Sequence, residues 1–178
     1  MNVLNKSSLA ALALALILGG AFGPGEAQAV DKILSVSPTA LKPADFANEV
    51  LPWVSNADAF YFANNLSAPV NSYAYVPLNL PQGARVKSLT VHYTDNACGV
   101  NQELVVTLMR HEPATGKTQA MAWTTTEGVP CVIDRRIVED KTVINSIVNN
   151  ARYSYALYVI FYDGIDRFRF HGAVIVYQ

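Results

Sequence analysis

Apolar and polar residues alternate with a period of two along most of the chain, the pattern of β-strands that bury one face. Proline, glycine, asparagine and aspartate interrupt the alternation at short intervals, and these residues favour turns. We therefore predict an all-β fold: a single antiparallel β-sandwich of jelly-roll type with about eight strands. The clearest predicted strands lie in AFYFANN, SYAYVPLNLP, ARVKSLTVHYTD, ELVVTLMRHEP, TQAMAWTTT, VIDRRIVED, RYSYALYVIFYD and RFRFHGAVIVYQ.

The period of two also assigns faces within the strands. In two central segments it predicts buried side chains at Leu89, Val91, Tyr93, Leu104, Val106 and Leu108. The last two segments are predicted to pair as a hairpin that turns at Asp163-Gly164, a preferred pair for a tight turn. The face of this hairpin assigned to the core contains Tyr153, Tyr155, Leu157, Val159, Phe168, Phe170, Val174 and Val176.

The opposite face of the predicted hairpin is the candidate binding site, because its polar and aromatic side chains could stack on a sugar ring or dock a partner strand. Tyrosine and arginine on paired strands also stabilise each other without a ligand, so these side chains could instead serve only to stabilise the sheet. Trp53 and Trp123 are isolated in the sequence and are predicted to be buried anchors. The candidate binding residues are Tyr158, Tyr162, Arg167, Arg169, His171 and Tyr177.

The N-terminus has the features of a secretory signal peptide: Lys6, an apolar run from Leu9 to Phe22, and the small-residue end Ala27-Gln28-Ala29. The apolar run is shorter than a membrane span requires. We predict a signal peptide at residues 1–29 and a sandwich domain at residues 30–178, in a secreted or periplasmic protein. Cys98 and Cys131 are then expected to form a disulfide, since an even pair in an oxidising compartment usually does.

Charge and motifs argue against several classes of function. The formal net charge is −1 with no block of like charges, so neither nucleic acid nor an anionic membrane surface is an expected partner. His92, His111 and His171 lie in no hydrolase motif, and we assign no catalytic residue. Asp163 and Asp166 supply too few oxygens for calcium, so no metal site and no cofactor is expected.

The run YVPLNLPQGARVKSLTVHYTDN, together with SVSPTALKP, NNARYSYALYV and the ending FHGAVIVYQ, resembles a recurrent family of bacterial secreted β-sandwich domains with a jelly-roll-like fold. The resemblance covers most of residues 30–178 and rests on structural residues. It implies the fold, and it carries over no catalytic residue.

These observations predict an exported, non-catalytic module that binds a glycan or a protein at or outside the cell surface. Two alternatives remain at this point. A sandwich with an exposed edge strand could associate into a homo-oligomeric coat or appendage, and the same scaffold could carry a hydrolase or lyase site, because one fold hosts many functions.

Overall fold

Two antiparallel sheets form the fold seen in the computed structural model, which describes residues 29–43, 71–96, 103–128, 132–162 and 168–178. All described strands lie within Asp31–Gln178, one of the two compact units into which the chain divides. A 3-10 turn, Pro38–Ala40, follows the first strand. The strands are β1 (Lys32–Val36), β2 (Lys42–Pro43), β3 (Ser72–Leu78), β4 (Val86–Asp95), β5 (Glu103–Glu112), β6 (Lys117–Thr125), β7 (Val132–Asp140), β8 (Ser154–Tyr162) and β9 (Phe168–Tyr177).

The order of the strands identifies the topology. The four-stranded sheet has the order β1-β9-β4-β7, and the five-stranded sheet has the order β2-β3-β8-β5-β6. When the two-residue strand β2 is left out, both orders are those of an eight-stranded jelly roll. The predicted fold class, an antiparallel sandwich of jelly-roll type with about eight strands, is confirmed.

The core lies between the two sheets, and it contains the inward faces predicted for β4 and β5. Leu89, Val91 and Tyr93 are buried from one sheet, and Leu104, Val106 and Leu108 are buried from the other. All six belong to one hydrophobic cluster. Within the described ranges, no helix has the length and hydropathy that a membrane span requires.

The predicted pairing of the last two strands is wrong. β8 lies between β3 and β5 in the five-stranded sheet, whereas β9 lies between β1 and β4 in the four-stranded sheet. Each strand has one strongly apolar face, and a central position in opposite sheets lets the two faces share the core. The residues between these strands, 163–167, lie outside the described residues, and the expected turn at Asp163-Gly164 lies among them.

A β-bulge in β9 overturns part of the predicted inward face. His92 pairs with Gly172 while the next residue, Tyr93, pairs with Phe170, so His171 is the extra residue. One extra residue shifts every later side chain to the other face. Phe168 and Phe170 are buried as predicted, but beyond the bulge the buried residues are Ala173 and Ile175 rather than Val174 and Val176.

Candidate binding face

The outer face of the five-stranded sheet carries a row of four side chains across four strands, and three of the four are aromatic. Tyr75 of β3 is paired with Tyr158 of β8, Tyr158 with Thr107 of β5, and Thr107 with Trp123 of β6. Residues directly opposite each other in an antiparallel pair share a face of the sheet. We call Tyr75, Tyr158, Thr107 and Trp123 the aromatic row. Because neighbouring strands lie about 4.8 Å apart, the row is roughly 14 Å long.

The core determines that these side chains point outward. Along a strand, successive residues alternate between faces, so a residue with buried neighbours on both sides faces solvent. Each aromatic residue of the row has such neighbours: Ala74 and Val76 around Tyr75, Leu157 and Val159 around Tyr158, and Ala122 and Thr124 around Trp123.

The rings of the row offer a broad apolar surface. The Tyr75 and Tyr158 rings are stacked, with centroids 6.0 Å apart and an interplanar angle of 26°. Trp123, on the edge strand β6, is 58% exposed, which is unusual for so large an apolar side chain. Exposed Lys42 of β2 is paired with Tyr75 at the opposite end of the row. A cation therefore lies beside the Tyr75 end of the row, and an indole forms its other end.

A hollow of about 250 Å³ lies beside the tyrosines of the row. Its lining includes Met109 and Pro77 as apolar surface, with His111 and Thr118 as polar groups. His111 Nδ1 lies 3.1 Å from the Thr118 hydroxyl, a hydrogen bond that links β5 to β6. Apolar surface with a few fixed polar groups is the usual composition of a ligand site. None of the described residues of the row or the hollow carries a carboxylate.

The six residues predicted as one binding site are not brought together. Tyr158 and Tyr162 lie on the outer face of the five-stranded sheet, while Arg169 and His171 lie on the outer face of the four-stranded sheet. His171 is held there by a 2.8 Å hydrogen bond between its Nε2 and the Thr94 hydroxyl. Tyr177 follows the bulge and packs against the core. Arg167 lies outside the described residues.

The sequence interpretation missed the other two aromatic members of the row, Tyr75 and Trp123. Tyr75 had a readable signal, because SYAYVPL alternates tyrosines with small or aliphatic residues that are all buried. Trp123 was expected to be a buried anchor, and that expectation is wrong. Its position beside Thr107 depends on the β5–β6 register, which includes a bulge between Leu108 and Met109.

The three histidines, all within the described residues, do not share one face of the fold. His111 lies on the outer face of one sheet, and His92 and His171 lie on the outer face of the other. Partial burial, with a smaller contribution from the charge of Arg135, lowers the pKa of His92. Among the described residues, no group of three or more histidine, cysteine, aspartate or glutamate side chains could hold a metal ion. Cys98 and Cys131 lie outside this part of the chain.

One comparison with a known structure supports the fold. No protein-family model and no curated protein matches the chain. Among solved structures it is similar to the xylan-binding module CBM15, with a TM-score of 0.51 and 9% identity over 83% of this chain and 97% of that one. The C-terminal CBM6 of a marine laminarinase from Zobellia galactanivorans has a TM-score of 0.43 and 12% identity over 81% of this chain and 98% of its own. A cyclase from Fischerella sp. TAU has a TM-score of 0.47 and 8% identity over 81% and 87%.

Proposed function

We propose that this protein is a non-catalytic module that binds a glycan chain along the aromatic row. The observation that carries the proposal is the row itself, with Tyr75, Tyr158 and Trp123 turned outward from three strands of one sheet. The flat apolar face of an aromatic ring fits the C–H face of a pyranose, while the sugar hydroxyls stay in water or bond to side chains at the edge. A row of roughly 14 Å is long enough for about three consecutive sugar rings.

The expected affinity is modest. If a sugar covers about 60 Å² of each ring, the transfer of that area from water contributes about 1.5 kcal/mol per ring. The loss of translational and rotational freedom on binding opposes much of the total from three rings. We therefore expect dissociation constants in or above the millimolar range, where 1 mM corresponds to about −4 kcal/mol, and tighter binding only where hydrogen bonds to the sugar hydroxyls add to the contribution of the rings.

The fold comparison supports the choice of ligand class for testing. The similar jelly roll with the TM-score of 0.51 is named as a xylan-binding module. One fold hosts many functions, so the likeness alone is no reason to expect binding; that reason is the exposed row. The likeness makes xylan the first polysaccharide to test.

Binding to a panel of soluble polysaccharides, measured by affinity electrophoresis and calorimetry, tests the proposal. Tyr158→Ala and Trp123→Ala should each weaken binding by about tenfold, since truncating a central aromatic contact typically costs more than 1 kcal/mol. Ile137→Ala is the matched control, because Ile137 is 63% exposed but belongs to the four-stranded sheet. Binding that survives both changes in the row, or no binding to any polysaccharide, would refute the proposal.

We also propose that the protein is exported and that Cys98 and Cys131 form a disulfide after removal of residues 1–29. The signal-like N-terminus and the even number of cysteines support this. Intact-mass analysis of protein recovered outside the cytoplasm should show a chain that begins near Val30. Alkylation should label neither cysteine until a reductant is added. A chain that retains its first residues would contradict the signal peptide. Two thiols labelled without reductant would contradict the disulfide.

A further inference from the structure

A second concave surface adjoins the aromatic row at its Trp123 end. It is a cleft of about 530 Å³ between β6, the edge strand of the five-stranded sheet, and β7, the edge strand of the four-stranded sheet, with the segment that follows β7. We call it the edge cleft. The residues of its lining that matter here are Trp123, Val138, Glu139, Asp140, Thr142 and Ile144.

Hydrogen bonds fix the shape of the edge cleft. Asp140 Oδ2 accepts a 2.9 Å bond from the Trp123 backbone N–H, and its Oδ1 accepts a 2.7 Å bond from the Thr142 backbone N–H. The Ile144 backbone N–H donates a 2.8 Å bond to the Met121 carbonyl. These bonds tie the segment after β7 to the edge of β6. The cleft is therefore held open in advance, which lowers the entropic cost of filling it.

The lining of the edge cleft combines exposed apolar surface with hydrogen-bond acceptors. Trp123 and Ile144 are 58% and 56% exposed, so a ligand in the cleft would remove apolar surface from water. The Glu139 and Asp140 carboxylates accept hydrogen bonds from hydroxyl groups and repel anions. Lys141 neutralises Glu139 only in part, in an exposed ion pair at 3.0 Å. A neutral, hydroxyl-rich ligand fits this chemistry better than an acidic one.

We propose that the edge cleft is an additional sugar subsite, which receives the end of a neutral glycan chain after it has crossed the aromatic row. The inference rests on the proposed glycan binding and extends it. Trp123 belongs to both surfaces, so a chain that runs across the strands from Tyr75 reaches the edge of the sheet at Trp123 and continues into the cleft. Binding should therefore strengthen with chain length beyond the units that the row alone holds, and it should discriminate against acidic sugars at that end.

The test is a calorimetric titration of the full chain with xylo- and cello-oligosaccharides from the disaccharide to the hexasaccharide. The wild type should bind the pentasaccharide about tenfold more tightly than the trisaccharide. Ile144→Ala should remove most of that gain and leave trisaccharide binding unchanged, because Ile144 lies in the cleft and outside the row. Glu139→Gln should improve binding of a xylo-oligosaccharide that carries a glucuronic acid, because it removes a negative charge without changing the size of the side chain.

The outcomes separate this inference from the proposed function. Equal affinity for the trisaccharide and the pentasaccharide, or a length dependence that Ile144→Ala leaves intact, would overturn the additional subsite. Tyr158→Ala would in that case still weaken binding of every oligosaccharide. If neither series binds, or if Tyr158→Ala has no effect on those that do, the proposed glycan binding fails and the subsite fails with it. Ile137→Ala, in β7 but outside the lining of the cleft, should change none of these measurements.

Discussion

The bulge in β9 offers a test of how closely the neighbouring strand β1 approaches it within the four-stranded sheet. Gly172 has a φ of +135°, a conformation that residues with a side chain rarely adopt. A β-carbon added there would lie 2.8 Å from the Val36 carbonyl oxygen of the adjacent strand β1 and 3.8 Å from Cδ of Pro38. Because the closest atom belongs to the backbone, it cannot rotate away as a flexible side chain could. Gly172→Ala therefore forces either β1 or the bulge to move.

Two effects contribute to the expected loss of stability. Holding alanine in this strained conformation costs about 1–3 kcal/mol, and overpacking against a fixed neighbour costs about the same again. The sum, about 2–6 kcal/mol, is a large share of the stability of an ordinary domain. Gly116→Ala is the matched control. Gly116 also has a positive φ, +69°, but no atom lies within 4 Å of the added β-carbon, so only the strain of about 1–2 kcal/mol applies there.

Urea unfolding followed by circular dichroism measures the free energy of unfolding of the Gly172→Ala and Gly116→Ala variants. The melting temperature of the Gly172→Ala variant should fall by about 10 °C. Hydrogen exchange adds a local measurement, because displacement of β1 should expose the amides that pair Val36 and its neighbours with β9. Equal losses for Gly172→Ala and Gly116→Ala would refute the close approach of β1 to the bulge. Unchanged protection of β1 would show that the strand does not move.

Three further substitutions test the assignment of faces and the role of one buried carboxylate. Phe170→Ala should cost about 3–5 kcal/mol because the side chain is fully buried, and Tyr158→Ala should cost much less because its ring lies on the surface; equal costs in urea unfolding would contradict the face assignment. Hydrogen bonds from Arg152 and Thr115 hold the pKa of Glu112 below its ordinary value. The resulting stability is present at neutral pH and is lost as the pH falls through the acidic range toward the folded-state pKa. Glu112→Gln should flatten this part of the pH dependence of the melting temperature, and an unaltered profile would contradict the role of the carboxylate.

The fold class was predictable because two independent features of the sequence agree. The period of two predicts strands with one buried face, and the turn residues divide the chain into the short segments that a sandwich needs. The buried faces of β4 and β5 followed from this period, since Leu89, Val91 and Tyr93 alternate with polar residues and Leu104, Val106 and Leu108 recur at every second position despite the apolar Val105 between them. Burial of large apolar side chains stabilises these faces strongly, so the predicted faces are correct even where the predicted ends of the strands are slightly wrong.

The partners of β8 and β9 could not be read from the local sequence. Asp163-Gly164 favours a tight turn, and a tight turn would set the two strands side by side. The apolar residues on both strands instead lie across the core from each other, in different sheets. The choice between these arrangements depends on burial summed over the whole domain, which a dipeptide preference does not determine.

The bulge escaped prediction because β9 is apolar on both faces after Gly172. Ala173 and Ile175 alternate with Val174 and Val176, so either set could have been inward by composition. The structure buries the first set more deeply and leaves the second partly exposed on the outer face. A glycine at positive φ is the physical cause, but a glycine within a strand indicates a bulge without giving its direction.

The aromatic row shows how the core determines the site. Tyr75, Tyr158 and Trp123 come from three segments that are distant in sequence, and only the pairing of β3, β8, β5 and β6 brings them into line. That register is fixed by the buried residues between them, because a slip of one residue would turn Tyr158 inward and expose Leu157 or Val159. The apolar residues of these strands thus specify where the row lies, while the row itself contributes little to the core. Substitutions of its aromatic residues should therefore alter this outer surface without changing the fold.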